Sequence, residues 1–74
     1  MKQIKIPIAS DWNFTPASLM NYYARQTPGT TFYRSPFGNA RLLLNGSAYQ
    51  YHHWSITANH GSTIVTLFLE RVPS

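Results

Sequence analysis

The sequence predicts an α+β fold: one domain over residues 1–74, with one helix packed on one face of an antiparallel meander sheet, in the order β-α-β-β-β-β. Three observations support this. The N-terminal stretch alternates isoleucine with polar residues or proline, as a half-buried strand does. Helix start and stop signals bracket residues 16–26. Beyond residue 30, runs rich in β-branched and aromatic residues are separated by tight-turn sequences.

The first strand, β1, is predicted at residues 4–8, with its three isoleucines facing inward. Pro7 within this strand suits a sheet edge. Helix α1 is predicted from Pro16 to Gln26, because Thr15 is a good N-cap and proline fits the first helical position. A helix this short must lie on a sheet, and its predicted inner stripe is Leu19, Met20 and Tyr23.

Four further strands follow, which we expect to form a meander. Ser35-Pro36-Phe37-Gly38 predicts a type I turn, Asn45-Gly46 a type I′ hairpin turn, and Asn59-His60-Gly61-Ser62 a second tight turn. A sheet order of 2-3-4-5-1 follows from these connections. The predicted strands are β2 (Thr30–Arg34), β3 (Ala40–Leu44), β4 (residues 47–58) and β5 (Thr63–Val72).

Two-residue turns would fix the strand register by counting. The predicted β3–β4 pairs are Leu44–Ser47, Leu43–Ala48, Leu42–Tyr49 and Ala40–Tyr51. The predicted β4–β5 pairs are Ala58–Thr63, Ile56–Val65, Trp54–Leu67, His53–Phe68 and His52–Leu69. One face then collects an apolar patch for the helix and β1 to cover: Leu43, Ala48, Trp54, Ile56, Val65, Leu67 and Leu69. The other face collects Leu42, Leu44, Tyr49, Tyr51, His53 and Phe68. We expect this face to be exposed, closed by a partner, or partly covered by Trp12 and the 32–37 segment.

Composition limits the possible functions. The net charge of +4 comes from six basic and two acidic residues, with no basic cluster beyond Lys2 and Lys5, so a dedicated duplex-DNA binder is disfavoured. The chain has no cysteine, which excludes disulfides and thiolate metal sites. The N-terminus lacks a signal-peptide pattern and no segment approaches 18 apolar residues, so we expect no membrane span and a cytoplasmic protein.

The first candidate site is an aromatic platform on β4. On the predicted register Tyr49, Tyr51 and His53 share one face, with Phe68 beside them. Such a platform can stack unpaired bases, or it can anchor a protein interface. It can also be ordinary cross-strand packing. The candidate binding residues are Tyr49, Tyr51, His53, Phe68, Arg41 and Arg34.

The histidines are the second candidate, because imidazole can bind metal or transfer protons. His52 and His53 are adjacent and should point to opposite faces, and His60 lies in a turn. No thiol or carboxylate lies at ligand spacing, so neither a metal site nor a cofactor is predicted. A small endoribonuclease, like the basic α+β toxins of bacterial toxin–antitoxin systems, could use His53, Tyr51, Arg41 and Arg71. The predicted register puts Arg41 on the other face from His53, which argues against this.

These observations favour a small non-enzymatic binding protein that occupies a surface of a macromolecular partner, most simply another protein. Stand-alone inhibitors of this size are typical of phages and mobile elements, so an anti-host protein such as an anti-CRISPR is one form that we expect this function to take. The second hypothesis is a single-stranded nucleic-acid binder using the platform with Arg34, Arg41 and Lys5, and the third is the ribonuclease. An exposed apolar face and an unpaired edge would also allow a homodimer.

Overall fold

The computed structural model describes residues 1–9 and 13–73, apart from the side chain of Asn59. All five strands form one antiparallel sheet in the spatial order β1-β5-β4-β3-β2, with a single described helix. The predicted α+β class and sheet order are confirmed, whereas the cover expected from Trp12 lies outside the described residues. The elements are β1 (Lys2–Ile8), α1 (Pro16–Gln26), β2 (Thr30–Arg34), β3 (Ala40–Leu44), β4 (Ser47–Asn59) and β5 (Ser62–Arg71).

Helix α1 begins with a reciprocal cap. The Thr15 hydroxyl accepts a hydrogen bond from the Ser18 N–H at 3.1 Å, and the Ser18 hydroxyl accepts one from the Thr15 N–H at 2.9 Å. Pro16 occupies the first turn, where its missing N–H costs nothing. The helix lays Leu19 and Met20 on the sheet with no exposed surface. No helix within the described ranges has the length and apolar character needed to cross a membrane.

Both predicted hairpin turns are present. Asn45 and Gly46 have φ of 50° and 86°, and His60 and Gly61 have 50° and 80°, as a type I′ turn requires. The β3–β4 register follows the first turn, with Leu44, Leu43 and Leu42 opposite Ser47, Ala48 and Tyr49. The core beneath the helix consists of Ile4, Ile6, Leu19, Met20, Leu42, Leu44, Val65, Leu67 and Leu69.

One extra residue in β4 divides this strand into two halves. Tyr51 pairs with Leu69 and His53 pairs with Phe68, so two neighbours on β5 face residues that are two apart on β4. This is a β-bulge at His52, and the predicted pair His52–Leu69 is wrong. From His53 to Ala58 the predicted pairs are confirmed.

The bulge changes which side chains form the core. Because side chains alternate along a strand, the extra residue puts Tyr49 and Tyr51 on the same face as Trp54. Both tyrosines are half-buried against the core, and the prediction that they share the opposite face with His53 is wrong. The same correction applies to four other residues: Leu42 and Leu44 are buried, while Leu43 and Ala48 lie on the opposite face.

Beyond the bulge the sheet continues as a three-stranded arm. β3 pairs with β4 only as far as Gln50, so residues 53–59 pair with β5 alone, and β5 pairs with β1. Helix α1 packs on β2, β3 and β4, while Trp54 and Ile56 remain 41% and 52% exposed on the helix side of the arm. These two were wrongly predicted as core. The arm gives the molecule extents of 41 × 22 × 21 Å.

Candidate functional site

The sheet face opposite α1, here called the open face, carries most of the candidate chemistry. No described helix packs on it. Two cross-strand rows lie side by side at its centre. One row is His53–Phe68; the other is Tyr33–Arg41–Gln50–Glu70.

His53 and Phe68 form a stacked pair on this face. Their ring centroids are 4.3 Å apart and the rings are within 7° of parallel. The His52 ring meets that of His53 edge-on, with the two Nδ1 atoms 2.7 Å apart. One imidazole therefore donates a hydrogen bond to the other. The expectation that these histidines point to opposite faces is wrong, because the bulge removes the alternation between them.

Arg41 lies in the adjacent row, between Tyr33 and Gln50. It shares the open face with His53, so the predicted separation of these two residues is also wrong. Its Nε is buried and has no hydrogen-bond partner among the described residues. The Gln50 side-chain amide donates to the Glu70 carboxylate at 3.1 Å. The row thus combines an aromatic ring, a guanidinium and a carboxylate that accepts a hydrogen bond from an amide.

Chemically, the open face has few of the groups that catalysis or metal binding requires. Two adjacent imidazoles and one arginine could bind a phosphate or exchange a proton. In residues 1–9 and 13–73, no three His, Asp or Glu side chains come together as a metal site would need.

Two groups of predicted binding residues lie elsewhere. Tyr49 and Tyr51 are on the helix side, as described above. Arg34 pairs with Ala40 and so falls on the helix side of the edge strand β2. There its Nη1 donates to the Gly38 carbonyl at 2.9 Å, and its guanidinium carbon lies 5.9 Å from the Phe32 ring centroid.

The turn after β2 presents an aromatic side chain that sequence reasoning did not select. Phe37 is 92% exposed. The buried Ser35 holds the turn in shape: its hydroxyl accepts from the Phe37 and Asn39 N–H groups at 3.3 and 3.1 Å, and its N–H donates to the Asn39 carbonyl at 2.9 Å. Gly38 closes the turn by donating to the Ser35 carbonyl at 2.8 Å. The sequence does carry a signal for this exposure. Phe37 follows Pro36 at the centre of a tight turn, where no strand can cover it.

A shallow, open recess of about 370 Å³ adjoins this turn. Its lining comes from the start of α1, from the residues that follow the turn, and from β4 just before the bulge. The helix offers little to an anion here, because Pro16 lacks an N–H and the Ser18 N–H is already bound by Thr15. The lining residues are Thr15, Pro16, Ala17, Asn39, Ala40, Gln50 and Tyr51.

Comparisons with protein-family models, with curated proteins and with solved structures gave no match. Functional assignment therefore depends on the chemistry of the open face and of the Phe37 turn.

Proposed function

We propose that this chain is a non-enzymatic binding protein that acts by occupying a surface of a larger protein, in the manner of an inhibitor. The observation that carries the proposal is Phe37, an aromatic side chain held almost wholly in water by a hydrogen-bonded turn. A ring with 92% of its surface exposed contributes almost nothing to the core of its own domain. An apolar pocket on a partner would remove that surface from water.

The turn also lowers the cost of binding. Ordering a flexible loop on association loses conformational entropy, and a preformed loop avoids much of that loss. Ser35 makes four hydrogen bonds inside the turn, and Arg34 adds a fifth to the Gly38 carbonyl. Aromatic and arginine side chains are the usual anchors of protein interfaces. Phe37 and Arg34 supply one of each at the same end of the sheet.

The open face supplies a second contact area beside the turn. Tyr33 and Arg41 lie near the turn, with the His53–Phe68 stack one row further along the sheet. Leu43, 38% exposed, adds apolar surface on the other side of Arg41. This mixture of aromatic, aliphatic and guanidinium groups is typical of protein interfaces.

The distribution of charge favours a protein partner over nucleic acid. Of the basic residues, register places only Lys5 and Arg41 on the open face, and Glu70 lies there too. Arg34 and Arg71 fall on the helix side. A phosphate-binding face would concentrate the positive charge. Small single-domain inhibitors from phages and mobile elements, including anti-CRISPR proteins, act by occupying a surface of a protein partner. We propose the same mode of action for this chain.

Replacing Phe37 tests this function. A photoreactive phenylalanine analogue at position 37 should cross-link the chain to its partner in extracts of the native host. With that partner purified, Phe37→Ala should weaken binding by at least about tenfold, since anchor residues contribute most of an interface's affinity. Stability should change by no more than about 0.5 kcal/mol, because the ring is exposed.

The matched control is Tyr22→Ala, which removes a 41% exposed aromatic side chain from the helix. It should leave affinity unchanged, as measured by calorimetry with the same purified partner. Equal binding by wild type and Phe37→Ala would refute the assignment of Phe37 as the anchor. Failure of the open-face variants His53→Ala and Arg41→Gln to weaken binding would restrict the interface to the turn.

A single-stranded nucleic-acid binder is the second candidate, favoured by the His53–Phe68 stack with Arg41 and Lys5 on the same face. This hypothesis predicts that the logarithm of the oligonucleotide affinity falls linearly with the logarithm of the salt concentration. The slope is set by the number of phosphate contacts, which is small here. Fluorescence anisotropy over roughly 20–300 mM salt measures this salt dependence. No binding at the lowest salt would eliminate this candidate. Cleavage of the RNA that is lost in His53→Ala would instead indicate the ribonuclease.

A further inference from the structure

The outer edge of the arm is the least protected strand edge in the described sheet. Residues 53–59 of β4 have β5 on one side and no described strand on the other, and the side chains of residues 53–58 are all exposed. Sheet edges are usually protected by charge, proline or short length. The outer edge of β1 has Lys2, Lys5 and Pro7, and β2 is only five residues long. Residues 53–58 contain no Lys, Arg, Asp, Glu or Pro.

The ladder determines which backbone groups this edge presents. Asn59 pairs with Ser62 across a two-residue turn, and such a closing pair is hydrogen-bonded. Hydrogen-bonded and non-hydrogen-bonded pairs alternate in an antiparallel ladder, so residues 57, 55 and 53 bond to β5. The N–H and C=O groups of Trp54, Ile56 and Ala58 therefore point away from β5. Their side chains share one face of the arm.

We infer that this edge pairs with the same edge of a second copy of the chain, as a two-fold symmetric dimer with Ile56 opposite its counterpart. Antiparallel pairing about Ile56 places Trp54 opposite Ala58 of the other copy. All the outward N–H and C=O groups of these three residues then find partners, forming six hydrogen bonds between the copies. The ladder ends where residue 59 of one copy meets residue 53 of the other, at the bulge.

Three observations identify the occupant as a second copy. The segment is self-complementary in size, because the large Trp54 ring lies across from the small Ala58. It carries no formal charge, so two chains of net charge +4 meet without like charges opposed in the ladder. The arm also projects from the body: the radius of gyration is 12.4 Å, against about 11 Å for a compact chain of this length. Pairing would also cover Trp54 and Ile56, now 41% and 52% exposed.

This dimer does not depend on the proposed function, because Phe37 lies outside the paired edge, and the edge meets the central rows of the open face only at His53, where the ladder ends. The absence of cysteine makes the register directly testable. Opposite residues of a hydrogen-bonded pair have Cα atoms about 5.5 Å apart, within disulfide range. Ile56→Cys should therefore form a disulfide-linked dimer under mild oxidation. Thr57→Cys is the matched control: Ser55, not Thr57, lies opposite it, and the Cα atoms of the two copies' residue 57 lie beyond the roughly 7 Å limit for a disulfide.

Wild-type protein should also show a concentration-dependent rise in sedimenting mass from 8.4 kDa towards twice that value. Ile56→Lys should keep the monomer mass at every concentration, whereas Thr31→Lys, which adds the same charge to the exposed edge of β2, should dimerise like wild type. Circular dichroism confirms that each variant is folded. A wild-type chain that stays monomeric up to millimolar concentration, or equal cross-linking of the Ile56→Cys and Thr57→Cys variants, would overturn the inference.

Discussion

Replacing Leu42 with alanine should destabilise the domain by about 2–5 kcal/mol, whereas the same change at Leu43 should cost less than about 1 kcal/mol. The two residues are neighbours of the same type on one strand. Leu42 has no exposed surface and lies in the core with Leu19 and Met20, while Leu43 is 38% exposed on the open face. Truncating Leu42 leaves a cavity, but water already reaches Leu43.

Urea denaturation followed by circular dichroism measures both effects as changes in the free energy of unfolding. Total stability for a chain of this length is roughly 4–11 kcal/mol, so the Leu42→Ala variant stands close to the limit of folding. Leu42→Met, which keeps the volume, is the appropriate milder variant and should cost less than about 1.5 kcal/mol. If Leu43→Ala were instead the more damaging change, the side of β3 that carries Leu43 would be the one that faces the helix.

Most of the backbone architecture could be predicted because its signals are local. Asn-Gly and His-Gly pairs accommodate the positive φ values of type I′ turns, and Thr15-Pro16 starts the helix by capping chemistry. Each signal acts within four residues, where counting is reliable. Register counted outward from each turn is correct from Leu44 to Arg41 on the first hairpin, where the pairing ends before the predicted pair Ala40–Tyr51, and from Ala58 to His53 on the second.

The bulge itself was not predicted, and the face assignments failed with it. His52 is neither glycine nor proline, so its residue type does not mark an irregularity. The pattern around it does carry a signal. Before His52 the large apolar residues of β4 are at odd positions, Tyr49 and Tyr51, and after it they are at even positions, Trp54 and Ile56. Such a change of phase within one strand is what an extra residue produces when the same face stays buried. If β4 were read as a regular strand without a bulge, it would have large apolar residues on both of its faces.

The candidate site depended on this same residue. With the bulge, His53 and Arg41 share the open face, and the tyrosines proposed as a platform support the core instead. Phe37 was missed for a different reason. Hydrophobic periodicity selects residues on strands and helices, whereas a turn side chain has no period and its exposure depends on how neighbouring segments pack.

Proline substitutions in the arm should separate the inward and outward backbone groups of β4. Ser55→Pro should lower the free energy of unfolding by on the order of 3 kcal/mol. The Ser55 N–H donates a hydrogen bond to β5, and its loss leaves the backbone of Thr66, opposite it, without a partner. Ile56→Pro, one residue further, should cost about 1 kcal/mol or less. Its N–H points away from β5, and proline is tolerated on strand edges.

The two variants differ by one position and carry the same new residue, so generic proline strain affects both alike. Urea titration at the lowest practical protein concentration, which disfavours association, measures folding with the least contribution from dimer formation. At higher concentration Ile56→Pro should also abolish dimer formation, since it removes a donor at the two-fold axis and leaves its counterpart's carbonyl unpaired. Equal destabilisation by both prolines would mean that the arm's hydrogen bonds do not alternate as the Asn59–Ser62 pair requires, and the β4 edge would then present a different set of groups.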